Sequence, residues 1–329
     1  MSPAAKEPGR AKRSSAAPRP RTRTKVRAAP PQDAAGVAGP PSDGAGAASR
    51  STALVPVPRP AAPEALPDPR RSDVDEWGRS EHMRALARQL YEPIYRHWFR
   101  AEWEGLEKIP REGGALLVAN HAGAIPSDAP AIMHGIETEL GRPLYALADQ
   151  MFKSMPLIGT LWSRAGGVVA HPDNAYRLLR EQGQLTLVFP EGTKGTGKLY
   201  SERYRLRRFG RGGFVQIAMR AGVPIIPIAV VGAEESMPIV FKVPSLAKIL
   251  GIPYLPITAN MLALGPLGLF GYFPAKFKLR VLDPVNFDVA PDQPRYSKSR
   301  VMDESEGIRQ RIQEALHDML RQRQSVWFG

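Results

Sequence analysis

His121 and Asp128 are the residues of this chain whose types and spacing could do acid–base chemistry. They lie in the stretch GALLVANHAGAIPSD, Gly114 to Asp128, with six residues between them. Imidazole suits general-base work because its reference pKa, about 6.5, is close to neutrality. A carboxylate on its other nitrogen fixes the tautomer and stabilises the imidazolium, so such a pair can take a proton from an attacking hydroxyl. A plainer reading also fits, in which Asp128 is a helix N-cap and His121 a polar loop residue.

A second polar loop, Phe189-Pro190-Glu191-Gly192-Thr193-Lys194-Gly195, follows an apolar run. Exposed backbone N–H groups there, with Lys194 nearby, would form a nest for an anionic group. Glu191 has two readings: it orders the loop by accepting backbone N–H bonds, or it contacts a substrate hydroxyl. Downstream, Lys198, Arg203, Arg205, Arg207, Arg208 and Arg211 fall within fourteen residues, opposed only by Glu202. Guanidinium groups suit bidentate phosphate recognition, and a solvated loop is the alternative for most of them. Arg211 stands out because Gly210-Arg211-Gly212-Gly213 leads into a helix at Val215–Ala221, whose N-terminus also favours an anion.

These loops need strands to hold them. Ala115-Leu116-Leu117-Val118-Ala119 is short and wholly apolar, which predicts a buried strand that stops at Asn120-His121. Gly123 and Pro126 then force a turn, and Asp128 precedes a helix over about 129–139. Further strands are expected at 144–148, 166–170, 184–189, 223–232 and 276–282, with Pro224 and Pro227 marking the fourth as an edge or a bulge. Helices are expected at about 151–163, 173–183 and 303–321. The alternation predicts an α/β domain with a layered mixed sheet flanked by helices.

Composition sets the outer bounds. The chain has 329 residues, 43% of them hydrophobic, with 33 prolines and 30 glycines. It has no cysteine, which excludes disulfides, thiolate nucleophiles and cysteine-ligated metals. Net charge is +13, and residues 1–71 hold 13 Lys and Arg against 5 Asp and Glu. That segment is rich in Ala, Pro, Gly, Ser and Arg, so residues 1–72 are expected to be a disordered basic tail without the apolar run of a secretory signal. The tail suits anionic lipid, nonspecific nucleic-acid contact or a plain linker. Residues 73–104 are expected to form an amphipathic helical segment, kinked at Pro93, with Trp77, Leu86, Leu90, Tyr91, Ile94, Trp98 and Phe99 roughly on one side. Residues 249–273 are apolar but broken by Pro253, Pro256 and Pro266 and four glycines, which argues against a spanning helix. Membrane contact, an acyl-pocket wall and plain core are the three readings of that region.

Together these stretches resemble the lysophospholipid and glycerolipid acyltransferase family, lysophosphatidic acid acyltransferases among them. Members carry an Asn-His block with a following Asp, then Phe-Pro-Glu-Gly-Thr, then Val-Pro-Ile-Xaa-Pro. Here these are Asn120, His121 and Asp128, then Phe189 to Thr193, then Val223 to Pro227, within residues 105–285. The chain departs from the pattern twice. Six residues rather than four separate His121 from Asp128, and Gly167 to Asn174 stands where many relatives carry an Asp-Arg acceptor motif.

The resemblance implies a glycerolipid acyltransferase-like fold in an acyltransferase domain over 105–329. It implies an O-acyltransferase in which His121 and Asp128 are catalytic and Phe189, Pro190, Glu191, Gly192, Thr193, Lys194 and Arg211 bind substrate. The donor would be acyl-CoA or acyl-carrier protein and the acceptor a lysophospholipid or lipid alcohol, with neither cofactor nor metal. An anionic membrane surface is the expected partner, with no specific nucleic acid, and the expected place is the cytoplasmic face of a membrane, held peripherally. Two competitors remain. A lipid or thioester hydrolase finds no Gly-Xaa-Ser-Xaa-Gly elbow here. A membrane- or nucleic-acid-binding protein with a vestigial site would depend on the tail.

Overall fold

The strand that ends at His121 is buried on both faces, and the layers follow from that. In the computed structural model the described residues are 73–150, 157–249, 254–293 and 295–329. The expected tail, 1–72, lies outside them, as do residues 151–156 of the expected helix there. Strand β2 (Ala115–Ala119) is flanked by two parallel neighbours, β5 (Leu185–Val188) and β6 (Ile225–Val231). A strand so enclosed has no solvent face, which explains why its sequence is apolar at every position instead of alternating.

Side chains still alternate between two cores. Ala115, Leu117 and Ala119 join Ile226, Ile228 and Val230 on one face, while Leu116 and Val118 join Ile225, Ala229 and Val231 on the other. Burying Leu117 completely contributes about 2 kcal/mol by transfer from water. The first face is covered by α2 (Asp128–Leu140), through Ile132, Met133 and Ile136, and by Tyr95 and Phe99. The second is covered by α5 (Gly213–Ala221), through Val215, Ala218 and Met219, and by Ile308, Ile312 and Leu316 of α6 (Lys298–Gln322).

The sheet has seven strands in the order β1-β9-β6-β2-β5-β3-β4, where β1 is Glu102–Glu104, β3 Leu144–Ala148, β4 Gly167–Val169 and β9 Lys278–Val281. All pairings are parallel except β6 with β9. The layered mixed sheet expected from the sequence is therefore the fold. Helices α3 (Ile158–Arg164) and α4 (Pro172–Tyr176, continued by a wider turn to Glu181) supply the crossovers around β4, and β7 (Ile239–Lys242) pairs with β8 (Pro256–Thr258) in a separate ribbon.

Four expectations are corrected. Strand β6 is interior and not an edge, although it contains Pro227. The bulge alternative accounts for the proline: Ile228 faces Val281 but Ile225 faces Val285, so the ladder slips by one residue around Pro227, which has no N–H to give. Helix α1 (Glu81–Pro93) starts at an N-cap, Ser80, whose hydroxyl accepts the Met83 N–H at 3.1 Å, and not at 73. Its apolar residues also do not share a side. Beyond Pro93 the turn widens, with Phe99 N–H bonded to the Ile94 carbonyl, and Tyr95 and Phe99 face the core while Leu86, Leu90, Ile94 and Trp98 stay exposed. The final helix begins at Lys298, five residues before the expected start.

Helix α1 meets α2 through ring contact between Tyr91 and His134 and through a buried charge. Glu137 is buried and meets Arg79 at 3.3 Å, Arg88 at 3.2 Å and the Nε of Arg84 at 2.9 Å.

Candidate active site

At the end of β2 the chain leaves the sheet but does not leave its hydrogen bonds unmade. The Asn120 side chain continues the ladder to β6, donating to the Val230 carbonyl at 3.0 Å and accepting the Val230 N–H at 2.8 Å. Asn120 is fully buried, so the start of the His121 loop is fixed by a neighbouring strand. Gly123, at φ +85°, then turns the chain toward α2.

That turn returns Asp128 to the histidine. His121 Nδ1 lies 2.9 Å from Asp128 Oδ2, and the same oxygen accepts the Ala122 N–H at 2.8 Å, while Oδ1 accepts the Ala129 N–H at 2.7 Å. Asp128 is 0% exposed. The longer spacing therefore leaves the pair in contact. Because a carboxylate only accepts, the hydrogen lies on Nδ1, and Nε2 carries the free lone pair. No hydrogen bond is made to Nε2 among the described residues, and the His121 side chain is 15% exposed, so that nitrogen is reachable.

The second loop holds the ring from beneath. Phe189, following β5, stacks on the imidazole at 4.0 Å between centroids and 16° between planes. Glu191 is buried with both oxygens taken by main chain: Oε2 accepts the His121 N–H at 3.3 Å and Oε1 the Arg207 N–H at 2.6 Å. Of its two readings, loop ordering is the one this geometry describes. Gly195 packs against His121, where a Cβ would stand 2.9 Å from the His121 carbonyl oxygen and 3.0 Å from its Cβ.

The remaining expected residues lie further out. Pro190 is half-buried, while Gly192, Thr193 and Lys194 are exposed at the one-turn helix Thr193–Thr196. Arg211 is exposed on a loop wedged between the Pro190 carbonyl, near Gly210, and Val301, near Gly212. No contact joins Arg211 to the His121–Asp128 pair among the described residues. Within the basic run, Arg207 pairs with Glu202 at 2.6 Å and Arg203 lies over the Tyr200 ring. Lys198 breaks from that run entirely: its ammonium is buried between Glu191 and Glu234.

Three tyrosines complete the surroundings. Burial, with the Asp128 charge adding to it, pushes Tyr272 up to about 12 and raises Tyr254 and Tyr91. They are neutral phenols near the pair, and Tyr254 donates to Thr196 at 2.6 Å. The aromatic content of residues 73–104 and 249–273 was their signal in the sequence. Asn120 was marked by its place beside His121 in the Asn-His block, whereas nothing local marked Lys198 and Glu234 as parts of one site.

The acyltransferase family model matches residues 100–231, which include both loops. An uncharacterized protein of Mycobacterium tuberculosis is 40% identical over 263 residues, 78% of this chain and 72% of that one. The chain belongs to the acyltransferase family. This acyltransferase-family chain is also similar to the DGAT1/2-independent enzyme synthesizing storage lipids of Bos taurus, 27% identical over 70% of this chain and 67% of that one. Among solved structures, the LPA acyltransferase PlsC of Thermotoga maritima matches 74% of the chain and 80% of its own, with a TM-score of 0.46 and 20% identity.

Proposed function

We propose that this chain moves a fatty acyl group from acyl-CoA or acyl-carrier protein to a hydroxyl of a lysophospholipid or related glycerolipid, with His121 as general base. The observation that carries the proposal is the buried carboxylate 2.9 Å from Nδ1, which leaves Nε2 basic and open. Nε2 takes the proton of the acceptor hydroxyl as its oxygen bonds to the thioester carbonyl carbon. The C–S bond then breaks, and the imidazolium returns the proton to the leaving thiolate. No covalent acyl-enzyme is required. Asp128 holds the Nδ1–H tautomer throughout.

Phe189, Pro190 and Glu191 form the floor that orients the ring, Gly192, Thr193 and Lys194 meet the acceptor head group, and Arg211 reaches phosphate on donor or acceptor. Residues 105–329 are the transfer domain in this reading and 73–104 its interfacial segment. Among the described residues no helix is long and apolar enough to cross a membrane. Peripheral docking on the cytoplasmic leaflet is supported by Leu90, Ile94 and Trp98, successive on one helix face, and by Leu262, Leu264, Leu267 and Phe270, all exposed. Trp98 is tied to this second group by its indole N–H, which donates to the Tyr272 carbonyl at 2.9 Å.

The test is thiol release from a panel of acyl donors with lysolipid and alcohol acceptors; the chain has no cysteine to add background. His121→Ala is expected to abolish release while the chain still folds cooperatively in a urea titration. Wild-type turnover in that variant rejects the proposal.

A further inference from the structure

Beneath the His121 loop lies a second charged group. The Lys198 side chain is 2% exposed, and its Nζ stands 3.0 Å from Glu234 Oε1 and 3.6 Å from Glu191 Oε2. The ammonium is thus within ion-pair reach of both carboxylates and nearer Glu234. Glu234 is buried in the turn that follows β6, where its Oε1 also accepts the Tyr204 N–H at 3.0 Å. Gly123, Gly195, Tyr200, Met237 and Ile239 close the space around Lys198 and Glu234. Two carboxylates therefore share one ammonium out of water, and one of the carboxylates holds the main chain of the proposed base.

We propose that Lys198 and Glu234 are positioning residues for His121: ionised Glu234 keeps the ammonium off Glu191, whose oxygens then hold the His121 and Arg207 N–H groups, and protonation of Glu234 sends Lys198 onto Glu191 and loosens the loop. The inference rests on His121 being the base. The groups facing Glu234 are Lys198 and the Tyr204 N–H from the chain between β5 and α5, and Glu235 from its own turn. Glu235 is engaged by the Arg323 guanidinium at 2.8 Å and by the Tyr204 hydroxyl. Burial pushes the Glu234 carboxyl up to about 7, against the pull of Lys198 and with a small push from Glu235. The proton that moves the ammonium thus arrives near neutral pH.

The experiment uses the full-length chain and the thiol-release assay, with a long-chain acyl-CoA and the best acceptor of the panel, from pH 5.5 to 9. Wild type is expected to lose kcat toward acid more steeply than one proton allows, because the proton on Glu234 adds its loss to that of a proton on the base. Glu234→Gln is expected to lower kcat about tenfold at pH 8, the scale of one weakened hydrogen bond, with KM changed less than about threefold and a one-proton acid limb. Lys198→Met, with no ammonium to move onto Glu191, should show a one-proton acid limb, and Lys198→Arg should bring the steeper limb back. A readout independent of turnover is the His121 backbone amide signal in the 1H–15N spectrum, which should move as Glu234 takes its proton in wild type and stay in place over that range in Glu234→Gln. A His121 amide signal that does not move as wild type passes through about pH 7 overturns the inference, even if the variants fold poorly. So does a Glu234→Gln enzyme with wild-type rate and steepness. If His121→Ala also keeps turnover, the base reading falls as well; if His121→Ala is dead, only the inference does.

Discussion

Asp128→Asn separates a catalytic carboxylate from a helix cap with almost no change in shape. Asp128 accepts three hydrogens: from His121 Nδ1 and the Ala122 N–H on Oδ2, and from the Ala129 N–H on Oδ1. An amide has one oxygen, so its NH2 must confront one of these sets. With the NH2 at the Oδ1 site, Ala129 N–H meets a donor. At the Oδ2 site, Ala122 N–H meets a donor and His121 must switch tautomer, which puts its hydrogen on Nε2 and removes the base. Either arrangement leaves a buried donor unsatisfied, at a cost of about 1–3 kcal/mol. Loss of the charge-assisted contact to the imidazolium removes about 3 kcal/mol from the transition state, and each 1.4 kcal/mol is roughly a factor of ten in rate. We expect kcat to fall at least about 10²-fold with KM nearly unchanged, measured by thiol release, and the urea midpoint to show a loss of about 1–3 kcal/mol. An Asn variant that lost stability but turned over at the wild-type rate would reduce Asp128 to an acceptor for main-chain N–H groups at the start of α2, whose N-cap is Ser127, and refute the assignment.

Other expectations can be checked with the same two assays. Gly195→Ala places a Cβ 2.9 Å from the His121 carbonyl oxygen, so it should cost about 1–3 kcal/mol and reduce kcat, whereas Gly213→Ala, with nothing within 4 Å, should be neutral in both. Glu234 makes stability fall with rising pH: the folded carboxyl titrates at about 7 and the unfolded one at 4.5, so the folded state holds the extra proton between these values. Its contribution is full below pH 4.5 and gone above about 7, worth at most about 3 kcal/mol, and urea midpoints from pH 5 to 8 should flatten in Glu234→Gln. Leu90→Glu and Phe270→Glu, at side chains 68% and 85% exposed, should weaken flotation with anionic vesicles without moving the midpoint. Unchanged flotation in the double variant removes that face from membrane docking.

Residue types and short-range order determined much of this protein. An all-apolar pentapeptide between glycines and a polar stop was enough to place β2, because a strand covered on both faces needs no polar alternation. The His121 and Phe189 loops were legible for the same reason, each being an abrupt polar end to a buried run. Which side of α1 faces the core was not legible: the widened turn after Pro93 shifts the helical phase, so Tyr95 and Phe99 turn inward and Ile94 and Trp98 outward. Pro227 misled for a related reason, since a ladder slip that spares its missing N–H depends on the register of β9, some fifty residues away.

The sequence by itself determined the chemistry on offer: an imidazole, a carboxylate in its turn and the glycine-bearing loop from Phe189 to Gly195. Only the tertiary structure decided that Glu191 spends both oxygens on main chain, that Lys198 is internal instead of part of the arginine run, and that Glu234 stands beside it. The physical reason is that charge burial depends on which strands are neighbours. Strands β2, β5 and β6 are far apart in sequence, and they bring these groups together only through the order in which the sheet is laid down.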